Sequence, residues 1–490
     1  MVRQLSPDER EETVRLEDDM KPTPIPNDAT SVVIDPARTL GPVKYMNAVN
    51  NGPKKAPPTQ RCENFTAYRA ARIPLARTHD ANWCSAYGAP HTVDITAVFP
   101  DFDADPDDPG SYDFTMTDNY LSTIVEAGTE VFYRLGQSIE QGVKKYGVMP
   151  PKDNGKWARI CEHVIRHFTE GWAGGPRLKI RYWEIWNEPD LGVPADGKSV
   201  CPDPKTWGGT STQFFELFAV AAKHLKRCFP HLKIGGPAMA GSEEWSELFL
   251  GEMHRRRVPL DFFSWHWYGS DPKWSAARAR TFRDMLDRHG YRKAESILNE
   301  WNYVQDWAPS WVYSLEVESG ACNLKGAAFT AAVMSVCQNA PVDMLMYYDA
   351  RIGIFMNGMF EPRSLKPMKG YYPFYAWAKL LDRGTQAGLA IEWTETKGCG
   401  RPDTENDIYA TAAVSRNGRH GAALVTRFTD DNNVVWERNV RIAVAGVPLK
   451  KAVCHLTDDW RTYTELPAEV CEDGSIVVSM APCSFVLVEW

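Results

Sequence analysis

The chain has 490 residues, 43% of them apolar, and a net charge of −8 with no basic stripe, which argues against a nucleic-acid or membrane-surface binder. No apolar run approaches the ~18–20 residues that cross a bilayer. Its length suits two to four domains, or one large barrel with a smaller partner, and its 18 Trp, 19 Tyr and 20 Phe are a surplus that serves either as core or as flat faces for sugar rings.

Residues 1–30 are polar and carry Pro22, Pro24 and Pro26, a loose lead-in. The charged N-terminus has no apolar h-region, so no Sec-type signal is expected and the chain reads as cytoplasmic. Eleven widely spaced Cys without a C-x-x-C fit a reduced compartment better than a disulfide framework. Ser31–Ile34 predicts a short β-branched strand. Strands are then predicted at Val43–Val49, Ile73–Arg77, Glu130–Leu135, Ile180–Trp186, Leu232–Ile234, Phe262–Trp267, Ser296–Leu298 and Met344–Tyr348. Helical patterns lie between most of them. Ile160, Cys161, Val164, Ile165 and Phe168 recur at helical spacing, as do Phe214, Leu217, Phe218, Ala221 and Leu225. Further helices are predicted at Thr117–Ala127, Glu243–His254, Ser275–His289, Leu324–Cys337 and Tyr372–Asp382. This alternation implies a parallel sheet, and eight rounds imply an α/β fold, a (β/α)8 TIM barrel over residues 40–385. After Leu381 the texture changes to short β-rich runs, Ile408–Val414, Ala422–Arg427, Val434–Ile442, Val453–Leu456, Ser475–Met480 and Ser484–Trp490, separated by turn residues. Residues 386–490 are therefore expected to form a C-terminal β-sandwich domain. Within residues 1–39, Ser31–Ile34 is expected to complete its edge.

In such a barrel the reacting groups sit at the C-terminal ends of the strands. The fourth strand ends Trp186-Asn-Glu-Pro189, where Pro189 stops the strand and leaves Asn187 and Glu188 at the rim. The seventh runs Ser296-Ile-Leu-Asn-Glu-Trp-Asn302 and leaves Glu300 there. Two carboxyl groups across one barrel mouth are the minimum for glycoside hydrolysis: one protonates the leaving oxygen, while the other attacks the anomeric carbon or activates water.

With these segments the sequence resembles clan A of the glycoside hydrolases, and within it is most similar to glycoside hydrolase family 39, the β-xylosidase and α-L-iduronidase family. The resemblance covers roughly residues 40–385 and includes Arg77-Thr-His79, Tyr112-Asp-Phe114 with Ile124–Gly128, Glu184-Ile-Trp-Asn-Glu-Pro189 and His266-Trp-Tyr268. It implies Glu188 as acid/base and Glu300 as nucleophile of a retaining mechanism. It further implies that Asn187 bonds the sugar 2-hydroxyl, that Tyr268 orients Glu300, that His79 and His266 line the site, and that Arg77 lies beneath Glu300. Trp183 and Trp186 would give Glu188 an apolar setting if they face it.

Other rim residues are weighed singly. Gln137 is a candidate sugar contact and Glu140 a supporting group. Trp301 is a candidate pocket wall, followed by Asn302. Trp83, Trp207 and Trp307 lie in rim loops and serve either stacking or packing. The family places a Trp at the end of strand eight; here Tyr347 or Tyr348 stands there, followed by Asp349 and Arg351. Arg351 either binds a sugar carboxylate or pairs with Asp349, and the pair is preferred. Glu162, His163 and His167 share a helix but lack a metal-binding motif, and the Gly-Gly doublets lack phosphate-loop spacing. No metal and no cofactor are expected.

The expected function is a retaining exo-glycosidase on short glycosides. The long segment Asp80–Ser111 is expected to close one side of the cleft. The alternative is a non-catalytic carbohydrate-binding or scaffold protein. An aldolase-type barrel ranks last, because no Lys stands at a strand end to form a Schiff base. The expected partner is a small carbohydrate, with neither nucleic acid nor membrane; a homo-oligomer stays open.

Overall fold

The computed structural model describes residues 24–55, 63–79, 91–305, 307, 323–352, 358–393 and 407–490. Strand β1 (Thr30–Pro42) belongs to the second sheet. Eight parallel strands then close into a barrel in chain order: β2 (Tyr45–Asn50), β3 (Leu75–Arg77), β4 (Glu130–Leu135), β5 (Tyr182–Ile185), β6 (Lys233–Met239), β7 (Phe262–Gly269), β8 (Glu295–Tyr303) and β9 (Met344–Tyr347). The helices between them start and stop where local chemistry directs. Asn154–Glu170 begins under an Asp153 cap and ends at Gly171 in the left-handed conformation. Ser211–Cys228 opens on a Thr210–Gln213 capping box.

The barrel interior is layered. Ala48, Leu75, Phe132, Tyr182, Phe262, Ile297, Met344 and Met346 form an apolar plug low in the barrel. Strand β6 adds no side chain there, because a Cβ on Gly235 would lie 2.2 Å from the Phe262 carbonyl and 2.7 Å from its ring. Two residues further along several strands, the inward positions turn polar: Asn50, Arg77, Arg134, Glu184 and Ser264, all buried. This polar layer is the floor of the barrel mouth.

The remaining strands, β10 (Thr385–Glu392), β11 (Ile408–Val414), β12 (Gly421–Arg427), β13 (Arg438–Val444), β14 (Val453–Thr457), β15 (Thr464–Leu466), β16 (Ile476–Met480) and β17 (Ser484–Glu489), form with β1 one mixed sheet in the order β15-β14-β17-β12-β11-β10-β1-β13-β16. Its two ends fold over a shared core that includes Val32, Ile34, Val440, Cys454, Leu456, Ile476 and Val488, which gives the sandwich character. The expectation that Ser31–Ile34 completes an edge is corrected. Strand β1 lies inside the sheet, antiparallel to β10 and parallel to β13. The physical reason is burial: Val32 and Ile34 are wholly inaccessible, which needs a neighbour on both sides. Lys325 and Tyr303 from the barrel reach Asp430 of this domain, at 2.9 and 2.6 Å.

The seven cysteines of the described residues are free. Among these residues no helix is long and apolar enough to cross a membrane.

Candidate active site

The turn after β5 is under backbone strain. Trp186 (φ 76°) and Glu188 (φ 47°) both occupy the left-handed region, at roughly 1–3 kcal/mol each. Several bonds hold them there. Trp186 N donates to the Leu135 carbonyl (2.7 Å) and Glu188 N to that of Ala238 (2.8 Å). Thr206 Oγ1 donates to the Glu188 carbonyl (2.6 Å), and Trp186 Nε1 to that of Thr206 (2.9 Å). Asp190 accepts from the backbone N–H groups of Ala240 and Ser242, tying the turn to the end of β6. Gly136 must be glycine: its φ is +120°, and a Cβ would lie 2.9 Å from Trp186 Cα.

Strand β8 reaches the site through a bulge. Trp265 pairs with Leu298 but His266 pairs with Glu300, so Asn299 is the extra residue. Plain alternation from the inward-facing Ile297 would send Glu300 outward. The bulge resets the phase: both Asn299 and Glu300 point inward, and Trp301 points outward.

Glu300 sits among donors. Arg77 Nη1 is 2.7 Å from Oε1 and Tyr268 Oη donates to Oε2 at 2.9 Å. His79 Nε2 stands 3.4 Å from Oε1, and His266 Nδ1 3.5 Å from Oε2. Burial raises the Glu300 carboxyl from its ordinary range and the neighbouring Glu188 adds to this, opposed in part by His266 when protonated, by Arg77 and by the Tyr268 hydroxyl. Glu188 has one close polar neighbour, His266 Nδ1 at 2.8 Å. Burial pushes its carboxyl up to about 7, opposed by Arg77 alone. Burial also drives His266 down to about 4, so the imidazole is neutral near pH 7. One oxygen of each carboxyl group and a ring nitrogen of His266 lie mutually within 4.8 Å. The two acids thus sit across one mouth, both raised by burial, Glu300 among several donors and Glu188 beside His266.

Asn187 accepts from Arg77 Nη2 at 2.7 Å through Oδ1, and its buried Nδ2 has no partner among the described residues and can donate to a ligand. Tyr348 lies beside His79 and Tyr268, with ring centroids 6.1 and 6.4 Å away. Half-exposed Trp307 meets Tyr268 edge-on at 5.4 Å.

The remaining candidates take the following places, some of them against expectation. Trp301 does not wall the mouth, because the bulge turns it outward against Phe329 and Tyr347. Trp183 and Trp186 do not face Glu188. Trp183 stacks on Tyr133, and Trp186 packs on Trp157, Trp207 and Phe214 in the helical layer. Trp207 is therefore packing as well. The Gln137 amide is engaged by Asp94 (3.0 Å) and Thr96 (2.7 Å), so it braces the rim. Glu140 holds the backbone of Tyr146 and Gly147. Arg351 lies on Asp349, with Nη2 at 2.6 Å and Nε at 2.8 Å. Trp83 and part of Asp80–Ser111 lie outside the described residues. His163 and His167 turn to separate partners, the Arg159 carbonyl and Asp118. Glu162 approaches His224 and Cys228 instead, but Arg159 and Arg166 already occupy its oxygens.

Sequence reasoning missed Glu184, Asn50, Ser264 and Asn299, which lie beneath the two acids. The available signal was parity: Glu184 shares the inward face of β5 with Tyr182.

Comparison with known proteins gives the family of the chain. Residues 32–339 match Glycosyl hydrolases family 39. A 222-residue stretch is 29% identical to a beta-xylosidase of Geobacillus stearothermophilus, covering 43% of this chain and 41% of that protein. Another of 177 residues is 28% identical to a beta-xylosidase of Caldicellulosiruptor saccharolyticus, covering 34% and 33%. The matched stretches thus span less than half the length of these relatives. The fold is shared with a solved glucosidase from Croceicoccus marinus (TM-score 0.72, 22% identity, 95% of this chain and 99% of that one). It is shared also with a monomeric beta-xylosidase from Caulobacter crescentus CB15 (TM-score 0.64, 16% identity, 94% and 99%). The family match falls on more than half of the chain and contains both rim carboxyl groups: the protein belongs to glycosyl hydrolase family 39.

Proposed function

We propose that the protein is a retaining exo-glycosidase that removes a terminal sugar from short glycosides, with Glu300 as nucleophile and Glu188 as acid/base. The observation that carries this reading is the pair itself: two carboxyl groups with one oxygen of each within 4.8 Å of the other, Glu300 among donors and Glu188 pushed up to about 7. That separation favours retention, for which about 5–5.5 Å is usual, against about 6.5–9.5 Å for inversion. In the first step Glu300 attacks the anomeric carbon. The bond to the leaving oxygen breaks, and Glu188 gives that oxygen its proton. In the second step the Glu188 carboxylate takes a proton from water, the water oxygen attacks the anomeric carbon, and Glu300 departs as a carboxylate. Asn187 Nδ2 is free to donate to the 2-hydroxyl.

A neutral sugar suits the site, because Arg351 is already committed to Asp349. Both curated relatives are beta-xylosidases, which makes a terminal xyloside the first substrate to try. The test is a panel of aryl glycosides (xyloside, glucoside, galactoside, arabinosides, uronides), followed by mass-spectrometric trapping with the 2-deoxy-2-fluoro analogue of the best substrate. A glycosyl adduct on Glu300 supports the reading. An adduct elsewhere sinks it, and sugar binding without turnover on any member would favour the non-catalytic alternative.

A further inference from the structure

Beneath the two rim acids lies a third, Glu184, on the inward face of β5 and wholly inaccessible to solvent. Both its oxygens are engaged. Oε2 meets Arg77 Nε at 2.6 Å, while Oε1 accepts from Ser264 Oγ at 2.6 Å and from Asn299 Nδ2 at 2.5 Å. Asn299 is the extra residue of the β8 bulge. Its backbone carbonyl is held from the other side by Asn50 Nδ2 at 2.6 Å, and Asn50 in turn accepts from Arg77 Nη1 at 3.0 Å. One buried carboxylate therefore fastens both things that place Glu300: the bulge that turns it inward and the guanidinium that lies on it.

The charge arrangement has a second effect. Arg77 stands between two carboxylates, Glu184 and Glu300. Forming a glycosyl ester on Glu300 removes one of these negative charges. Without Glu184, that step would leave a fully buried guanidinium unpaired, which is strongly unfavourable. With Glu184 in place, Arg77 keeps a counter-ion throughout, and its attraction for Glu300 is shared. A shared cation leaves Glu300 less tightly held as a carboxylate, hence readier to attack.

We propose that Glu184 is a positioning residue of the reaction, fixing the bulge that aims Glu300 and remaining as the counter-ion of Arg77 while Glu300 is esterified to the sugar. This rests on the reading of Glu300 as nucleophile. The groups that face Glu300 are Arg77 and His79 from β3 and its end, Glu188 from the turn after β5, His266 and Tyr268 from β7, and Glu184 below through Arg77. Tyr348 lies beyond His79 and Tyr268.

The test is the pH profile of kcat/KM for Glu184→Gln, Glu184→Asp and Asn299→Ala, each first shown by circular dichroism to be folded. Glu184→Gln is expected to lower kcat about 10²- to 10³-fold with little change in KM. Its acid limb should move to lower pH by about one unit, because Glu300 then has Arg77 to itself. Glu184→Asp keeps the charge but withdraws it, so its limb moves the same way by less; if Glu184→Gln does not fold, this variant decides. Asn299→Ala releases the bulge without removing charge and is expected to lower kcat with the limb in place. An unmoved acid limb in folded Glu184→Gln, or in Glu184→Asp where only that folds, overturns the proposal. Fluoro-sugar trapping of the unaltered enzyme separates the two levels. A label on Glu300 with an unmoved limb overturns this inference alone; a label elsewhere overturns the nucleophile reading and this inference with it.

Discussion

Replacing Glu188 by Ala removes the proposed proton donor and leaves Glu300 with all its donors. In the intact enzyme burial lifts the Glu188 carboxyl from 4.5 to about 7, which is about 3 kcal/mol in favour of the protonated form. The protonated form is the working one in the first step, so kcat/KM should fall as pH rises through about 7. His266, the titratable group in direct contact, is pushed down to about 4 and titrates too low to produce that limb. General-acid assistance contributes about 10²- to 10⁴-fold, but only where the leaving oxygen needs the proton. Glu188→Ala is therefore expected to lose about that much on an alkyl glycoside and far less on a nitrophenyl glycoside of the same sugar. Its alkaline limb should vanish, and azide should restore turnover by giving a glycosyl azide of retained configuration. The assay is kcat/KM against pH for the paired substrates, in both proteins. Equal losses on the two substrates, or an alkaline limb that survives the substitution, would refute the assignment.

Tyr268→Phe removes a hydroxyl donor 2.9 Å from Glu300; a hydrogen bond to a charged group is worth about 1.5–3 kcal/mol, so kcat should fall about 10- to 100-fold. The same hydroxyl holds the Glu300 carboxyl down, so its loss should move the acid limb to higher pH, opposite to Glu184→Gln. Gly136→Ala forces a Cβ to within 2.9 Å of Trp186 Cα at a φ of +120°; thermal unfolding should show a loss of about 2–4 kcal/mol, with activity reduced because the Glu188 turn shifts. In the second sheet, Arg427→Ala removes the nearer of two ion-pair partners of the buried Asp407 carboxylate, 2.9 Å away against 3.4 Å for Arg438; about 1–3 kcal/mol should be lost, read as a lower melting temperature.

The barrel was legible because its strands are apolar runs spaced by helical periods, and the two rim acids because a strand's end is set by its own residues, Pro189 above all. What stayed hidden is what depends on distant partners. Asn299 is fixed by Glu184, 115 positions earlier in the chain. That single bulge explains both a miss and a hit: it turns Trp301 out of the mouth and Glu300 into it. Gln137 looked free to meet a sugar, but its partner Asp94 comes 43 positions earlier. Strand β1 read as an edge because only four of its residues looked β-like, whereas its place follows from pairing with β10 and β13 late in the chain. Arg351 is the converse case. Its partner is two residues away, and the geometry selected the local pair over a sugar carboxylate.

Charge balance then separates the two rim acids more sharply than sequence position can. The polar floor holds a single guanidinium in contact with this group of acids, Arg77, which bonds Glu184 and Glu300 directly and does not bond Glu188. A third negative charge within 4.8 Å of Glu300 would share Arg77, which it does not bond, with the other two, since His266 is neutral near pH 7. A proton on Glu188 removes that cost, which is the charge distribution that the proposed roles of Glu188 as acid and Glu300 as nucleophile require. In the proposed mechanism Glu188 gives up its proton as Glu300 is esterified and loses its charge, so the number of negative charges in the mouth is unchanged across the step. That proposed step would move one charge between two facing carboxyl groups while Arg77 and Glu184 stay paired below, leaving the site little reorganising to do as the bond to the sugar forms.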